Sequence, residues 1–264
     1  TLRDVNRVII THGHIDHFGG VNFIMEATGA ELCIHELDAS VIQHFRERLL
    51  YSAASVHNFL RRAGLPPERV EALVQMNKWS KDTFQPRKID VMFGEGPILD
   101  GPFVAFHTPG HCPGQVCLRL HDILFTADHV LSHVTPNQSP ESITRYTGVG
   151  HYMEALRKIR AVPGIRIGLG GHEDEMPELA ARIDSTLAFH DMRLNKTLDL
   201  LDEPKTIAQT SLGLFGERMD YHILLALLET GAHLEYLYEH GKLVVANIDD
   251  VEKDPTTVPV YRQA

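Results

Sequence analysis

The chain opens on a short apolar run. Val8-Ile9-Ile10 is β-branched and flanked by polar residues, which predicts a buried strand. Phe18 to Glu26 predicts a helix closed by Gly29, and Glu31 to His35 a second strand, so the first segment reads as strand, helix, strand. From Asp38 to about Trp79 the pattern becomes helical, broken at Gly64 and Pro66-Pro67, and is read as a helical insertion spanning about 38–90. Short strands follow between Pro102 and Leu131. Turn signals at Pro109-Gly110, Pro113-Gly114 and His121-Asp122 separate them, which predicts antiparallel sheet. Tyr152 to Arg160 reads as a helix, and Arg166 to Leu169 as a strand running into Gly170-Gly171-His172. From Met176, Ile183, Leu187, Leu194, Leu198 and Leu201 form one apolar stripe that predicts a long helix ended by Pro204. A short helix (Thr206 to Leu214), a longer one (Tyr221 to His240) and the strand Leu243 to Ala246 complete a small terminal unit.

Strands that alternate with helices, then with other strands, place the chain in a mixed α/β class. Its 264 residues suffice for one large domain with a small appendage. No uncharged apolar run approaches the ~18–20 residues that cross a bilayer, and no signal peptide is visible. Cys33, Cys112 and Cys117 are too few and too irregularly spaced for a disulfide framework, so the expected compartment is the reducing cytoplasm. A formal charge of −10 repels phosphate backbones and argues against nucleic acid as a partner. The 17 histidines change the picture more, because imidazole is a ligand suited to zinc and iron.

In an extended segment, residues two apart point to the same side, so His12 and His14 at a strand end can present two imidazoles to one ion. Asp16 and His17 follow where the chain turns into a helix, which puts four potential ligands within six residues. Further candidates sit where strands end in glycine-rich turns: His107 to Gln115, Phe125 to His129, and Gly170 to Asp174. Cys112, beside one of them, reads as a small buried thiol, and His107 and His129 as groups that hydrogen-bond the ligands. His133 and Tyr146 are candidates for facing a substrate.

Together these segments resemble the metallo-β-lactamase-fold hydrolases, whose signature H-x-H-x-D-H is followed in order by single His, Asp and His ligands. By matching position the resemblance implies that His12, His14 and His111 hold a first metal. It implies that Asp16, His17 and His172 hold a second, with Asp128 bridging the two. The family writes glycine-aspartate at that last ligand; here Ala127 stands in the glycine's place, with little consequence expected. Two dications with two carboxylates and a shared hydroxide carry about one net positive charge, which attracts a polarised oxygen. The implied cofactor is a pair of divalent ions, zinc first, with iron or manganese also suited to the donors. Asp16 is the expected catalytic group, orienting the water and taking up its proton.

The resemblance also implies a four-layer αββα sandwich. The strands that precede the signature in the family have no counterpart here, so the domain, residues 1–186, is read as lacking its N-terminal strands. Residues 187–264 resemble the small winged-helix domain of a subgroup of these hydrolases, through Thr206-Ile207-Ala208-Gln209 and Gly231 to Leu237. From His190 to Ala264 there are 7 lysines and arginines against 13 aspartates and glutamates, which disfavours a phosphate-binding face. Packing, gating or formation of a homo-oligomer fits that unit better. The leading expectation is a dinuclear hydrolase of a small-molecule ester, thioester or lactone. Alternatives are a metal-dependent ribonuclease or phosphodiesterase, a mononuclear iron oxygenase of the persulfide dioxygenase type, and a binding module with a structural metal. No membrane partner is expected.

Overall fold

The computed structural model describes residues 1–79 and 84–264. The insertion read over 38–90 therefore extends across four positions that lie outside the described residues. In chain order the elements are β1 (Arg7–Ile10), α1 (Ile15–Phe18), α2 (Val21–Thr28), β2 (Glu31–His35), α3 (Glu36–Gln43), α4 (Phe45–Arg62) and α5 (Pro67–Trp79). Next come β3 (Val91–Phe93), β4 (Gly96–Pro97), β5 (Phe103–His107), β6 (Val116–Leu120), β7 (Ile123–Ala127), α6 (Val149–Arg160), β8 (Ile167–Gly170) and β9 (Glu175–Met176). The chain ends with α7 (Leu179–Asp199), α8 (Ile207–Phe215), α9 (Tyr221–Glu239), β10 (Leu243–Val245), α10 (Ile248–Lys253) and β11 (Tyr261–Gln263). Among the described residues no helix is long and apolar enough to cross a membrane.

Contacts divide the chain into two compact units that are not consecutive in sequence. The first comprises 1–48, 83–136 and 150–187; the second comprises 49–82, 137–149 and 188–264. The sequence pattern suggests one linear boundary at 186/187. In the contact grouping, most of the helical insertion and a loop ahead of α6 go with the terminal residues instead.

In the first unit β1, β2 and β3 form a parallel sheet, with Ile10 opposite Ile34 and His35 opposite Phe93. The β1–α2–β2 crossover is the predicted strand, helix, strand segment. A second sheet has the order β4-β5-β6-β7-β8-β9, antiparallel except for the β7/β8 pair. Side-chain alternation along β6 distributes its residues between two cores. Val116 and Leu118 join Cys33 and Phe93 of the first sheet in one buried cluster, and Cys117 joins Tyr152, Leu156 and Ile159 of α6 and Ile183 of α7 in another. The first sheet buries Leu32 and Ile34 fully, and Phe18, Phe45 and Phe84 meet edge to face with centroids 4.8–6.0 Å apart.

Strand direction then places the polar loops. β5 and β7 are both antiparallel to β6, and β8 is parallel to β7, so β5, β7 and β8 all end on the same edge of the sheet. The chain leaving β1 is tied to that edge by a backbone bond from Val116 N–H to the Thr11 carbonyl, 3.0 Å.

In the second unit α8 and α9 pack together, β10 pairs antiparallel with β11, and Lys205 bridges Tyr261. Its interior holds a buried ion pair, Arg193 to Glu229 at 2.7 Å, beside the stacked rings of His190 and His233.

Candidate metal centre

The loops at that sheet edge carry the histidines and aspartates singled out in the sequence. His12 follows β1 by two residues, and His14 caps the single turn α1, which carries Asp16 and His17. His111 lies in the β5–β6 loop, Asp128 directly after β7, and His172 two residues beyond β8. All seven ligand candidates come together in the first unit.

Asp128 is the hub. Its Oδ2 lies 3.3 Å from His17 Nε2, 3.6 Å from His172 Nε2, 3.8 Å from His111 Nε2 and 3.9 Å from His12 Nε2. On one side of it the rings of His12, His14 and His111 lie at centroid distances of 4.4–5.5 Å. On the other side Asp16 Oδ2 lies 3.3 Å from His172 Nε2 and 3.6 Å from His17 Nε2, and the Nε2 atoms of His17 and His172 are 3.1 Å apart. Two donor sets result, His12/His14/His111 and Asp16/His17/His172, with one carboxylate oxygen between them.

The two sets differ in access. His12 is fully buried and the His111 side chain is 9% exposed, whereas His172 and Asp16 are 47% and 57% exposed. One side of the centre is therefore closed by protein, and the other opens to solvent. Room around the hub depends on Gly171, whose absent Cβ would come within 2.5 Å of Asp128 Oδ1 and 2.8 Å of His17 Cε1.

The electrostatics suit a cation. Burial, then the neighbouring histidines, holds His12 well below the usual imidazole range, so it is a neutral donor. Burial also opposes charge on His17, but the Asp128 carboxylate outweighs it and raises the imidazole. The Asp128 carboxyl is lowered despite its burial, because His17 bonds it and His111 and His172 surround it. His12 Nε2 and Asp128 Oδ1 are buried without a hydrogen-bond partner, an arrangement that costs free energy in a bare protein and is relieved by an ion bound there. Imidazole nitrogens and carboxylate oxygens are donors suited to zinc, iron and manganese, so the residues present fit divalent ions.

The surrounding candidates resolve individually. His107 bonds the Pro113 carbonyl at 2.7 Å, which steadies the loop carrying His111, and its ring stacks on His35 at 4.4 Å. His129 is buried and turns its ring to the edge of Tyr152, 5.3 Å between centroids, where it supports the core. Cys112 is buried and reduced as expected, yet its Sγ stands 3.4 Å from His14 Nε2, closer to the donor atoms than a filler thiol requires. His133 is exposed and bonds Asp174 at 2.9 Å, while its backbone N–H donates to Glu173 at 2.7 Å; it thereby braces the turn that follows His172. Tyr146 lies in the second unit, 38% exposed, with the Arg145 guanidinium over its ring. Sequence reasoning misses Asp38, a fully buried carboxylate among these loops; the available signal was an acid on the same helix face as Ala39 and Ile42.

The sequence profile of the metallo-beta-lactamase superfamily matches residues 1–199. The chain belongs to the metallo-beta-lactamase superfamily. The crystal structure of the metallo-beta-lactamase family protein TTHA1429 from Thermus thermophilus is similar over 100% of this chain and 81% of that one, with a TM-score of 0.79 and 28% identity. The probable metallo-hydrolase YqjP of Bacillus subtilis (strain 168) is 24% identical over 251 residues, which cover 89% of this chain and 76% of that protein. An atrochrysone carboxyl ACP thioesterase of Aspergillus fumigatus is 29% identical over 173 residues, or 58% of this chain. The alignment spans about half the length of that thioesterase. As a metallo-beta-lactamase superfamily member, the chain carries a mixed α/β domain of the metal-dependent hydrolase type with candidate His and Asp metal sites.

Proposed function

We propose that this protein is a dinuclear metal-dependent hydrolase of a small thioester, with His12, His14 and His111 holding one divalent ion, Asp16, His17 and His172 the other, and Asp128 shared between them. The observation that carries the reading is the position of Asp128 Oδ2, within 3.9 Å of four imidazole nitrogens drawn from both donor sets. When bound by these residues, two such ions would supply Lewis acidity for a carbonyl oxygen and for a water, whose pKa would fall to ~7.

The residues divide the remaining work by position. The buried His12/His111 side anchors, because protein excludes water from it and keeps His12 neutral. The open Asp16/His172 side is where a substrate can enter, and Asp16, exposed and not buried among the rings, is placed to accept a proton from a nucleophilic water. Lewis-acid activation of water requires no serine or cysteine nucleophile. The thioester preference within the ester, thioester and lactone class rests on the similarity to a thioesterase. The second unit we read as winged-helix-like: Lys205, just ahead of the α8–α9 pair, bridges Tyr261 of β11, and β11 pairs with β10 across the short α10.

The test is turnover by the zinc-loaded protein on a panel of acyl thioesters, lactones and phosphodiesters, before and after chelation. Thioester cleavage that disappears with a chelator and returns with zinc is the expected result. Phosphodiester or RNA cleavage instead, or oxygen consumption with one iron per chain, would replace this reading.

A further inference from the structure

The two ligand loops of the buried donor set arrive from different sheets, and one side chain joins them. Asp38, in the first turn of α3, has no solvent exposure and ligates nothing itself. Its Oδ2 accepts the backbone N–H of Gly13 at 2.7 Å, and its Oδ1 accepts that of Gly114 at 2.9 Å. Gly13 is the residue between His12 and His14; Gly114 closes the turn that begins at His111.

A second, independent observation concerns the two glycines. Neither adopts a positive φ, so the backbone conformation does not call for glycine at either place. Contact with Asp38 calls for it at Gly114 and adds to the crowding at Gly13. A Cβ on Gly114 would come within 2.7 Å of Asp38 Cγ and 2.8 Å of its backbone nitrogen, closer than real contacts allow. A Cβ on Gly13 would stand 3.3 Å from Asp38 Cγ and Oδ2 and 3.1 Å from Val41 Cγ2. Both loops are thus stripped of side chains where they meet this one carboxylate, which lets its two oxygens reach two peptide N–H groups.

We infer that Asp38 is a positioning residue for the buried metal site: its carboxylate clamps the His12-Gly13-His14 loop to the His111–Gly114 turn and so sets the spacing of the three imidazoles. A carboxylate is needed because it accepts at both oxygens, whereas asparagine would aim an NH2 donor at one of the two N–H groups. A buried, unsatisfied N–H would then drive the loops apart. The inference rests on the ligand assignment proposed above and not on any substrate.

Zinc titration with a competing chelator, and the visible absorption spectrum after cobalt(II) substitution, test it on the full chain. Asp38→Asn is expected to weaken zinc binding roughly 10- to 100-fold, the usual effect of removing a group that orients a metal's ligands. The cobalt ligand-field bands should also shift, while the metal-free circular dichroism spectrum stays that of the wild type. Gly13→Ala, which keeps the carboxylate and crowds it, should weaken zinc in the same direction, and by less in an Asp38→Ala background, where only the contact with Val41 remains. If Asp38→Asn does not fold, Gly13→Ala in a Val41→Ala background, which removes the Val41 contact and keeps the one with Asp38, decides. Wild-type zinc affinity and cobalt spectrum in the folded variants would overturn the inference while leaving the ligand assignment intact. A wild type that takes up no zinc would overturn both.

Discussion

Asp128 carries more of the proposed site than any other side chain, since it stands between the two donor sets and is itself almost buried, at 7% exposure. Asp128→Asn keeps the shape and removes the charge. Metal content is expected to fall by at least one equivalent per chain, and turnover by at least ~100-fold, the scale of losing a principal electrostatic group; elemental analysis with steady-state kinetics checks both. The residue before it shows why the family writes glycine there. Ala127 has φ 47°, a left-handed conformation that an L side chain resists. Ala127→Gly is therefore expected to leave the metal site in place and to stabilise the protein by up to about 1 kcal/mol, read as a shift in the denaturation midpoint. The sequence alone suggests little consequence from this departure; the φ angle locates its cost in the backbone and not in the ligand set.

At the scale of elements, local pattern and distant contact separate cleanly. The strand, helix, strand opening, the antiparallel run from Pro102, the long helix after Met176 and the Tyr221 helix were legible because β-branched runs, turn residues and, after Met176, an apolar stripe at helical spacing mark them locally. β4 and β9 are two residues long and β11 is the polar Tyr261-Arg262-Gln263; such strands exist only through their partners and leave no period to read. The ligand candidates follow the same rule. His12, His14, Asp16 and His17 are close in sequence and announce themselves, whereas Asp38 gains its place from Gly114, 76 residues away, which no local spacing encodes. Helix α8 offers a check on local reading. Thr206 accepts from Gln209 N–H at 3.2 Å while the Gln209 side chain accepts from Thr206 N–H at 2.9 Å, a reciprocal cap at the predicted helix start. Thr206→Ala should cost about 1 kcal/mol in urea denaturation with metal binding unchanged.

For the whole molecule, the second unit adds a liability to acid. Burial, reinforced by His233 and Arg193, pushes His190 down to about 3, and burial likewise lowers His233. An unfolded chain protonates its histidines near ~6.5, so between about 6.5 and 3 the unfolded state binds more protons and stability falls as the pH drops. Urea midpoints of the metal-free protein should decline across that window, with a smaller decline in His190→Gln. The acidic terminal residues, the closed and open sides of the histidine cluster and the superfamily membership support the proposed small-molecule hydrolase. Metal stoichiometry measured together with activity on the purified protein tests that most directly. Two divalent ions per chain are expected, with thioester turnover that rises as the second site fills and loss of both on chelation; full turnover in a metal-free protein, or no metal retained at all, would contradict a dinuclear hydrolase.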